Sequence, residues 1–132
     1  MEKICVLVVD DEPMARLLIT ENLQQDGYDV VEADSGAAAW RQIDANPGRF
    51  DSILLDRLMP DMDGIEILRR LKKRDDMANV PVILQTAMTD DRDISDGLKA
   101  GAYYYLTKPF AASTLLAIVN AATREYRSPR AL

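Results

Sequence analysis

Several polar side chains of this 132-residue chain stand directly after short apolar runs, in an order that could build one reactive site. The acidic ones are Asp10, Asp11 and Asp56. Carboxylates brought close together repel one another and take up protons unless a cation lies between them. A cleft of oxygen ligands without Cys or His suits Mg²⁺, which keeps part of its water shell. We therefore predict a magnesium site wherever the fold brings these carboxylates together.

A hydroxyl and an ammonium group follow two further apolar runs. Thr86, followed by Ala87, ends the fourth run, and Lys108 with Pro109 follows the fifth. Facing a metal across a phosphate, Thr86 and Lys108 would be a neutral and a cationic donor. These are the parts of a phosphoryl-transfer site, where positioning and charge neutralisation carry the catalysis. Asp56 is the available nucleophile. The chain has no histidine, so a histidine nucleophile, base or metal ligand is excluded.

Strand and helix patterns alternate along the whole chain. The predicted strands are 4–9, 29–33, 52–55, 81–86 and 103–107. Three of them are nearly continuous in Val, Ile or Leu, as in strands covered on both faces. The predicted helices are 14–26, 37–46, 65–74, 91–100 and 111–127. Start and stop signals flank them at Pro13, Ser35, Asp63, Gly27 and Gly101.

Five β/α units predict a doubly wound α/β fold, a five-stranded parallel sheet with helices on both faces. The commonest order for five units is 2-1-3-4-5, the flavodoxin-like (βα)5 arrangement, with ligands bound beyond the carboxyl ends of strands 1 and 3. All the reactive side chains above would meet in that crevice. We assign residues 1–127 to one domain and 128–132 to a tail or the start of a linker.

Composition narrows the function classes. The chain is 48% hydrophobic, which excludes a disordered protein, and its net charge of −6 disfavours nucleic acid and acidic membranes as partners. One cysteine excludes an internal disulfide and fits a reducing compartment. The apolar run at 4–9 is too short for a secretory signal or a membrane span. We therefore expect a cytoplasmic protein.

Taken singly, these residues have plainer explanations. Asp10 and Asp11 before Pro13 could cap the first helix, Lys108 could be a surface lysine, and Thr86 a strand-end hydroxyl. Two acidic residues receive only such explanations, Asp61 as a solvated carboxylate and Asp63 as a helix cap. Asp56, at the end of an apolar strand, is poorly explained in this way. The joint placement at four strand ends favours a site.

Read together, these residues resemble the receiver domain of two-component response regulators. The resemblance is carried by Asp10-Asp11, by Asp56 with the sequence Met-Pro-Asp-Met-Asp-Gly at 59–64, by Thr86-Ala87, and by Lys108-Pro109-Phe110. The matches stand in order over residues 3–125. The resemblance implies a signalling switch that catalyses only its own phosphorylation and dephosphorylation, and is not otherwise an enzyme.

The resemblance also implies a role for each site residue. Asp56 would accept a phosphoryl group from a partner's phosphohistidine. Asp11 and Asp56 would bind Mg²⁺ directly, Asp10 would bind it through water, and the backbone carbonyl of Leu58 would add a ligand.

The remaining roles concern the switch itself. Thr86, with Ala87 after it, would bond a phosphoryl oxygen, Tyr105 would change rotamer with it, and Lys108 would be the counter-ion. The Lys108–Pro109 bond is expected to be cis. Leu58 and Met88 flank the phosphoryl position and cannot hold a water by hydrogen bonding, so slow loss of phosphate is predicted.

The implied partners are a sensor histidine kinase or a histidine phosphotransfer protein, and a downstream output protein or domain. Kinase specificity is expected in the first helix, around Met14 and Leu17. Output would use helix 4, strand 5 and helix 5, with a phosphorylation-dependent homodimer as one form; no direct contact with nucleic acid or membrane is expected. The chain is either a stand-alone receiver or the amino-terminal receiver of a longer protein.

Tyrosines replace the acidic residues that usually follow Gly101-Ala102 in this family. Period-two alternation predicts Tyr104 on the opposite face from Tyr103 and Tyr105. The tyrosines either pack under the last helix or form an aromatic docking surface.

Three other functions fit the sequence less well. An aspartate-nucleophile phosphatase would carry Asp-x-Asp after the first strand and a cap insertion, which this chain lacks. A flavodoxin-type carrier would need a phosphate loop where the chain has Asp10-Asp11-Glu12-Pro13. A degenerate receiver that only scaffolds would not need the full set of site residues.

Overall fold

Five parallel strands form one sheet in the order β2-β1-β3-β4-β5 in the computed structural model, which describes residues 3–87 and 90–127. The strands are β1 (Cys5–Val9), β2 (Asp29–Ala33), β3 (Ser52–Asp56), β4 (Val82–Thr86) and β5 (Tyr104–Thr107). All four neighbouring pairs are parallel. The predicted fold class and strand order are confirmed.

Five helices connect or follow the strands within the described residues. They are α1 (Pro13–Gln25), α2 (Gly36–Ala45), α3 (Gly64–Lys72), α4 (Asp91–Lys99) and α5 (Ala112–Arg127). A short 3₁₀ turn at Pro47–Arg49 was not predicted. None of the helices in this part of the chain is long and apolar enough to cross a bilayer.

The two faces of the sheet carry separate apolar clusters. On one face Val6 and Val8 of β1 pack with residues of α1 and α5, such as Leu23 and Val119. On the other face the alternate strand residues, such as Leu7, pack with residues of α2, α3 and α4. Strands buried on both faces explain the nearly continuous apolar runs in the sequence.

The predicted helix signals act as expected. Pro13 is the first residue of α1, and the Ser35 hydroxyl accepts a hydrogen bond from the Ala38 backbone N–H at 3.0 Å. The Asp63 carboxylate accepts one from the Ile65 N–H at 2.9 Å and so caps α3. Gly27 and Gly101 have φ of 95° and 108°, the left-handed conformation that ends helices.

The tyrosine prediction is partly wrong. β5 begins at Tyr104, so strand alternation does not extend back to Tyr103. Tyr103 packs against the cluster beneath α1 and α5, whereas Tyr105 belongs to the opposite cluster. Tyr104 is exposed. Two predictions, on Met88 and on the 128–132 tail, lie outside the described residues.

Candidate functional site

Three carboxylates meet at the carboxyl edge of the sheet. Asp10 and Asp11 follow β1, Asp56 ends β3, and each offers an oxygen within 4.8 Å of the oxygens of the other two. Asp10 and Asp56 are buried. The predicted acidic cluster is therefore present, because β1 and β3 are neighbours in the sheet.

Among the described residues, Lys108 reaches the carboxylates of this cluster. The Lys108 ammonium lies 3.3 Å from Asp10 Oδ2 and 3.6 Å from Asp56 Oδ2. Its backbone N–H donates to the Thr86 carbonyl at 2.7 Å, and this hydrogen bond holds the backbone of Lys108 beside β4. The Lys108–Pro109 bond is cis, as predicted. A single ammonium does not neutralise three carboxylates, so the crevice keeps negative charge.

The pKa of Asp56 reflects its burial more than these neighbouring charges. Burial is the largest cause and raises the pKa of Asp56 to about 7; Lys108 opposes it, and Asp10 and Asp11 add to it. Near neutral pH the ionised and protonated forms of Asp56 are therefore of similar energy. A divalent cation would favour the ionised form. The donor set, carboxylate oxygens alone, fits Mg²⁺.

Besides the Lys108 contact, two hydrogen bonds orient the Asp10 carboxylate. Oδ1 accepts from the Glu12 backbone N–H at 2.9 Å, and Oδ2 accepts from Gln85 Nε2 at 3.3 Å. Helix α1 begins after Glu12, whose side chain makes no capping bond. Asp10 therefore bonds the residue before the helix rather than its free amides, and the helix-cap alternative does not account for its burial.

The loop after Asp56 folds back tightly on β3. The Leu58 N–H donates to Asp56 Oδ1 at 3.4 Å, and the Gly64 N–H donates to the Arg57 carbonyl at 2.7 Å. A Cβ on Gly64 would lie 2.6 Å from the Asp56 carbonyl oxygen, which no side chain tolerates. Glycine at this position lets the loop close over the end of β3. Leu58, predicted to supply a carbonyl ligand, thus lies beside Asp56.

Thr86, Ala87 and Tyr105 also lie at this edge or next to it. Thr86 ends β4, is buried and pairs with Thr107 of β5. Ala87 is exposed directly after it. Tyr105 is buried in the cluster under α4. The strand order thus brings the predicted site residues to the carboxyl edge, except Tyr105, which lies within β5 opposite Leu84. Their roles remain predictions.

Sequence reasoning missed three polar side chains. Gln85 is fully buried within β4 and donates to Asp10. Arg57 is buried after Asp56, and its guanidinium contacts Tyr105 and Asp93. Asp61, predicted to be merely solvated, accepts hydrogen bonds from the Gly36 and Ala37 N–H groups, each at 3.1 Å. A polar residue interrupting an apolar run was the available signal for Gln85 and Arg57; Asp61 left none.

The family model for the response regulator receiver domain matches residues 6–120. The transcriptional regulatory protein KdpE of Mycobacterium tuberculosis is 41% identical over 119 residues, 90% of this chain and 50% of its own length. The phosphate regulon regulatory protein PhoB of Escherichia coli is 36% identical over 127 residues, 96% of this chain and 54% of its own length. The chain thus spans about half the length of these curated relatives.

A solved structure agrees with the family match. The response regulator receiver domain protein from Clostridium thermocellum superposes with a TM-score of 0.87 at 31% identity, covering 94% of this chain and 97% of that one. The family match, the similarity of the relatives and the strand order all agree. The chain belongs to the response regulator receiver domain family of two-component signalling.

Proposed function

We propose that this chain is a phosphorylation-controlled switch that accepts a phosphoryl group on Asp56 from a partner's phosphohistidine, in a Mg²⁺-dependent reaction. Membership of the receiver family supports phosphoryl acceptance on an aspartate. One observation supports Asp56 as the acceptor. Asp56 is the carboxylate that ends β3, beside Asp10 and Asp11 and within 3.6 Å of the Lys108 ammonium.

Asp10, Asp11, Asp56 and the Leu58 backbone are the groups proposed to hold Mg²⁺. Bound there, the ion would neutralise charge on the carboxylates and on the incoming phosphoryl oxygens. The raised pKa of Asp56 supports this, because burial disfavours the ionised form that the reaction needs. At neutral pH a bound cation would therefore increase the ionised fraction of Asp56.

The transfer step exchanges one bond for another. An Asp56 carboxylate oxygen forms a P–O bond as the P–N bond of the phosphoimidazole breaks, and the electron pair leaves with the imidazole nitrogen, which takes up a proton. Thr86 would donate its hydroxyl hydrogen to a phosphoryl oxygen, and Lys108 would contribute positive charge. The donor histidine belongs to a partner, because this chain has none.

Exposed apolar side chains support a kinase-docking surface on α1. Met14, Leu17 and Leu18 are all exposed there, and Leu58 is exposed beside Asp56. Large apolar groups grouped on a surface favour a protein partner over water. We propose that a sensor kinase or a histidine phosphotransfer protein docks here and so presents its phosphohistidine to Asp56.

A second exposed apolar pair supports the proposed output surface. Leu98 of α4 and Tyr104 of β5 are exposed, while Tyr103 packs beneath α1 and α5. Of the tyrosines that replace the usual acidic residues, Tyr104 is therefore the one available for docking. Protein contact through α4, β5 and α5, including a phosphorylation-dependent homodimer, is the proposed output. Relatives named as transcriptional regulators support control of transcription as its consequence.

Intact mass spectrometry after incubation with Mg²⁺ and phosphoramidate tests the acceptor. We expect one added phosphoryl group on the wild type and on Asp61→Asn, a control that alters an exposed carboxylate of the same edge. Asp56→Asn and a chelated wild-type sample should show none. Absence of addition to folded wild type would contradict the proposal and favour a scaffold, and addition to Asp56→Asn would contradict the choice of acceptor.

The same samples measure the lifetime of the phosphoryl group. The exposed Leu58 side chain cannot hold an attacking water by a hydrogen bond. We expect the added mass to persist for minutes or longer at neutral pH once the donor is removed. Decay within seconds would refute this slow loss.

A further inference from the structure

Arg57, the residue directly after Asp56, is buried and carries a positive charge. It is 7% exposed, and its backbone is held on both sides. Its N–H donates to the Gln85 carbonyl at 2.9 Å, and its carbonyl accepts from the Gly64 N–H at 2.7 Å. The side chain therefore starts from a point fixed to the edge of the sheet, directly beside Asp56.

The guanidinium reaches away from the acidic cluster and toward α4. Nη1 donates to the Asp93 carbonyl at 2.9 Å and to Tyr105 Oη at 3.2 Å, and Nη2 lies 3.6 Å from Asp93 Oδ1. Within residues 3–87 and 90–127, none of its contacts is with the Asp56 carboxylate. Arg57 thus joins the peptide that carries the acceptor to the first turn of α4 and to β5.

The contact with Arg57 gives the Tyr105 hydroxyl a hydrogen-bond partner. The Tyr105 ring is buried against Gly97 of α4, where a Cβ would lie 2.8 Å from the ring. A buried tyrosine hydroxyl needs a hydrogen-bond partner. Among the described residues, Arg57 is the partner that this hydroxyl has. Loss of Arg57 would leave the hydroxyl unpaired in the core and favour rotation of the ring toward solvent.

We propose that Arg57 is a positioning residue that holds Tyr105 in its buried orientation and ties the first turn of α4 to the loop after Asp56. Its importance for signalling rests on the proposed function, in which phosphorylation of Asp56 is read at α4 and β5. The contacts themselves exist without phosphorylation. The two proposals can therefore be tested separately on the same protein.

Arg57→Leu tests the link in the unphosphorylated protein. With 3-fluorotyrosine incorporated, the ¹⁹F resonance lost in Tyr105→Phe identifies Tyr105, and the exposed Tyr104 serves as a reference for a solvated ring. We expect the Tyr105 resonance of Arg57→Leu to move toward the Tyr104 position. Amide hydrogen exchange in the first turn of α4 should accelerate at least tenfold.

Two further variants separate positioning from general destabilisation. Arg70→Leu makes the same substitution at an exposed arginine of α3 that pairs with Glu66, and it should change neither readout. Arg57→Lys keeps the charge but not the forked donors, so it should give smaller shifts and should fold even where Arg57→Leu does not. Unchanged Tyr105 and α4 signals in either folded Arg57 variant, or equal changes in Arg70→Leu, would overturn the proposal.

Phosphoryl addition measured on the same variants distinguishes failure of the Arg57 proposal from failure of the proposed function. Arg57→Leu should still accept one phosphoryl group, but the change in α4 exchange that phosphorylation produces should shrink. A wild type that accepts no phosphoryl group would refute the proposed function. In that case the resonance and exchange data would still decide the role of Arg57.

Discussion

Two buried aspartates at opposite ends of β3 have contrasting surroundings. Asp51, just before the strand, is 3% exposed, and Asp56, at its end, is 5% exposed. The Asp51 carboxylate accepts a hydrogen bond from the Cys5 N–H at 2.9 Å and two from the Arg127 guanidinium, each at 2.9 Å. Asp56 has one long backbone hydrogen bond at 3.4 Å, an ammonium at 3.6 Å, and two carboxylates beside it.

The difference separates a structural carboxylate from the one that we propose to be reactive. Hydrogen bonds and a bidentate guanidinium compensate Asp51 for its lost hydration. Among the described residues, Asp56 has fewer such partners, so its negative charge remains unfavourable. A bound cation or phosphorylation would relieve that cost. A carboxylate that stabilises the fold thus lies just before β3, and one whose ionisation opposes folding lies at its end.

Replacing Asp51 should cause the largest loss of stability. Asp51→Ala leaves the Cys5 N–H and the Arg127 guanidinium without this carboxylate. We expect the free energy of unfolding to fall by about 3 kcal/mol, the low end of the range for breaking a buried charge pair, because the Arg127 side chain is 37% exposed. Urea denaturation measures it. A loss no larger than that of Asp44→Ala, which removes an exposed partner of Arg74, would break the comparison.

Replacing Asp56 should have the opposite sign and depend on pH. Its folded pKa of about 7 lies above the ordinary value of 3.8, so between these values the folded state binds more protons than the unfolded state. Wild-type stability is therefore expected to fall as pH rises through this window. Without Mg²⁺, Asp56→Asn should be more stable than wild type by about 2–3 kcal/mol at pH 8.

Urea denaturation in chelator at pH 4 and pH 8 checks this prediction. The advantage of Asp56→Asn should be largely lost at pH 4, close to the ordinary pKa of 3.8, because the folded carboxyl is protonated there and the unfolded one is only partly ionised. Equal pH profiles for the two proteins would show that burial of Asp56 costs no stability.

What the sequence allowed us to predict about the site depended on local pattern. Asp10, Asp56 and Lys108 stand where apolar runs end, and a parallel sheet must bring such ends to one edge. Gly27 and Ser35 mark helix ends by short-range chemistry alone. The strand order and the acidic cluster followed from those signals.

The missed features join residues far apart in the chain. The Asp51–Arg127 pair spans 76 positions, and the Arg57–Tyr105 contact spans 48. Neither follows from residue type, because each depends on how a helix seats against the sheet. Tyr103 was misplaced for a related reason, since the strand begins one residue later than the pattern indicated.

Replacing Asp61 should have the smallest effect on stability. It allows two carboxylates at the same edge of the sheet, Asp61 and Asp56, to be compared. Asp61 lies in the loop that follows Asp56. Like Asp51, it has hydrogen-bond partners, because the Gly36 and Ala37 N–H groups at the start of α2 donate to it. Those two hydrogen bonds lower the pKa of Asp61. Its contribution is therefore present above the ordinary value of 3.8 and is lost as pH falls through the lower folded pKa.

We expect Asp61→Ala to lower the free energy of unfolding at pH 7 by about 1 kcal/mol, the usual cost of losing a helix N-terminal acceptor. Asp61→Asn keeps an acceptor oxygen and should lose less. Urea denaturation at pH 7 and pH 3 measures both. A full loss persisting at pH 3 would show that packing, rather than the charge on Asp61, holds the loop against α2. If the loss instead fades with acid, a carboxylate's partners, rather than its place at the carboxyl edge, decide whether it stabilises the fold.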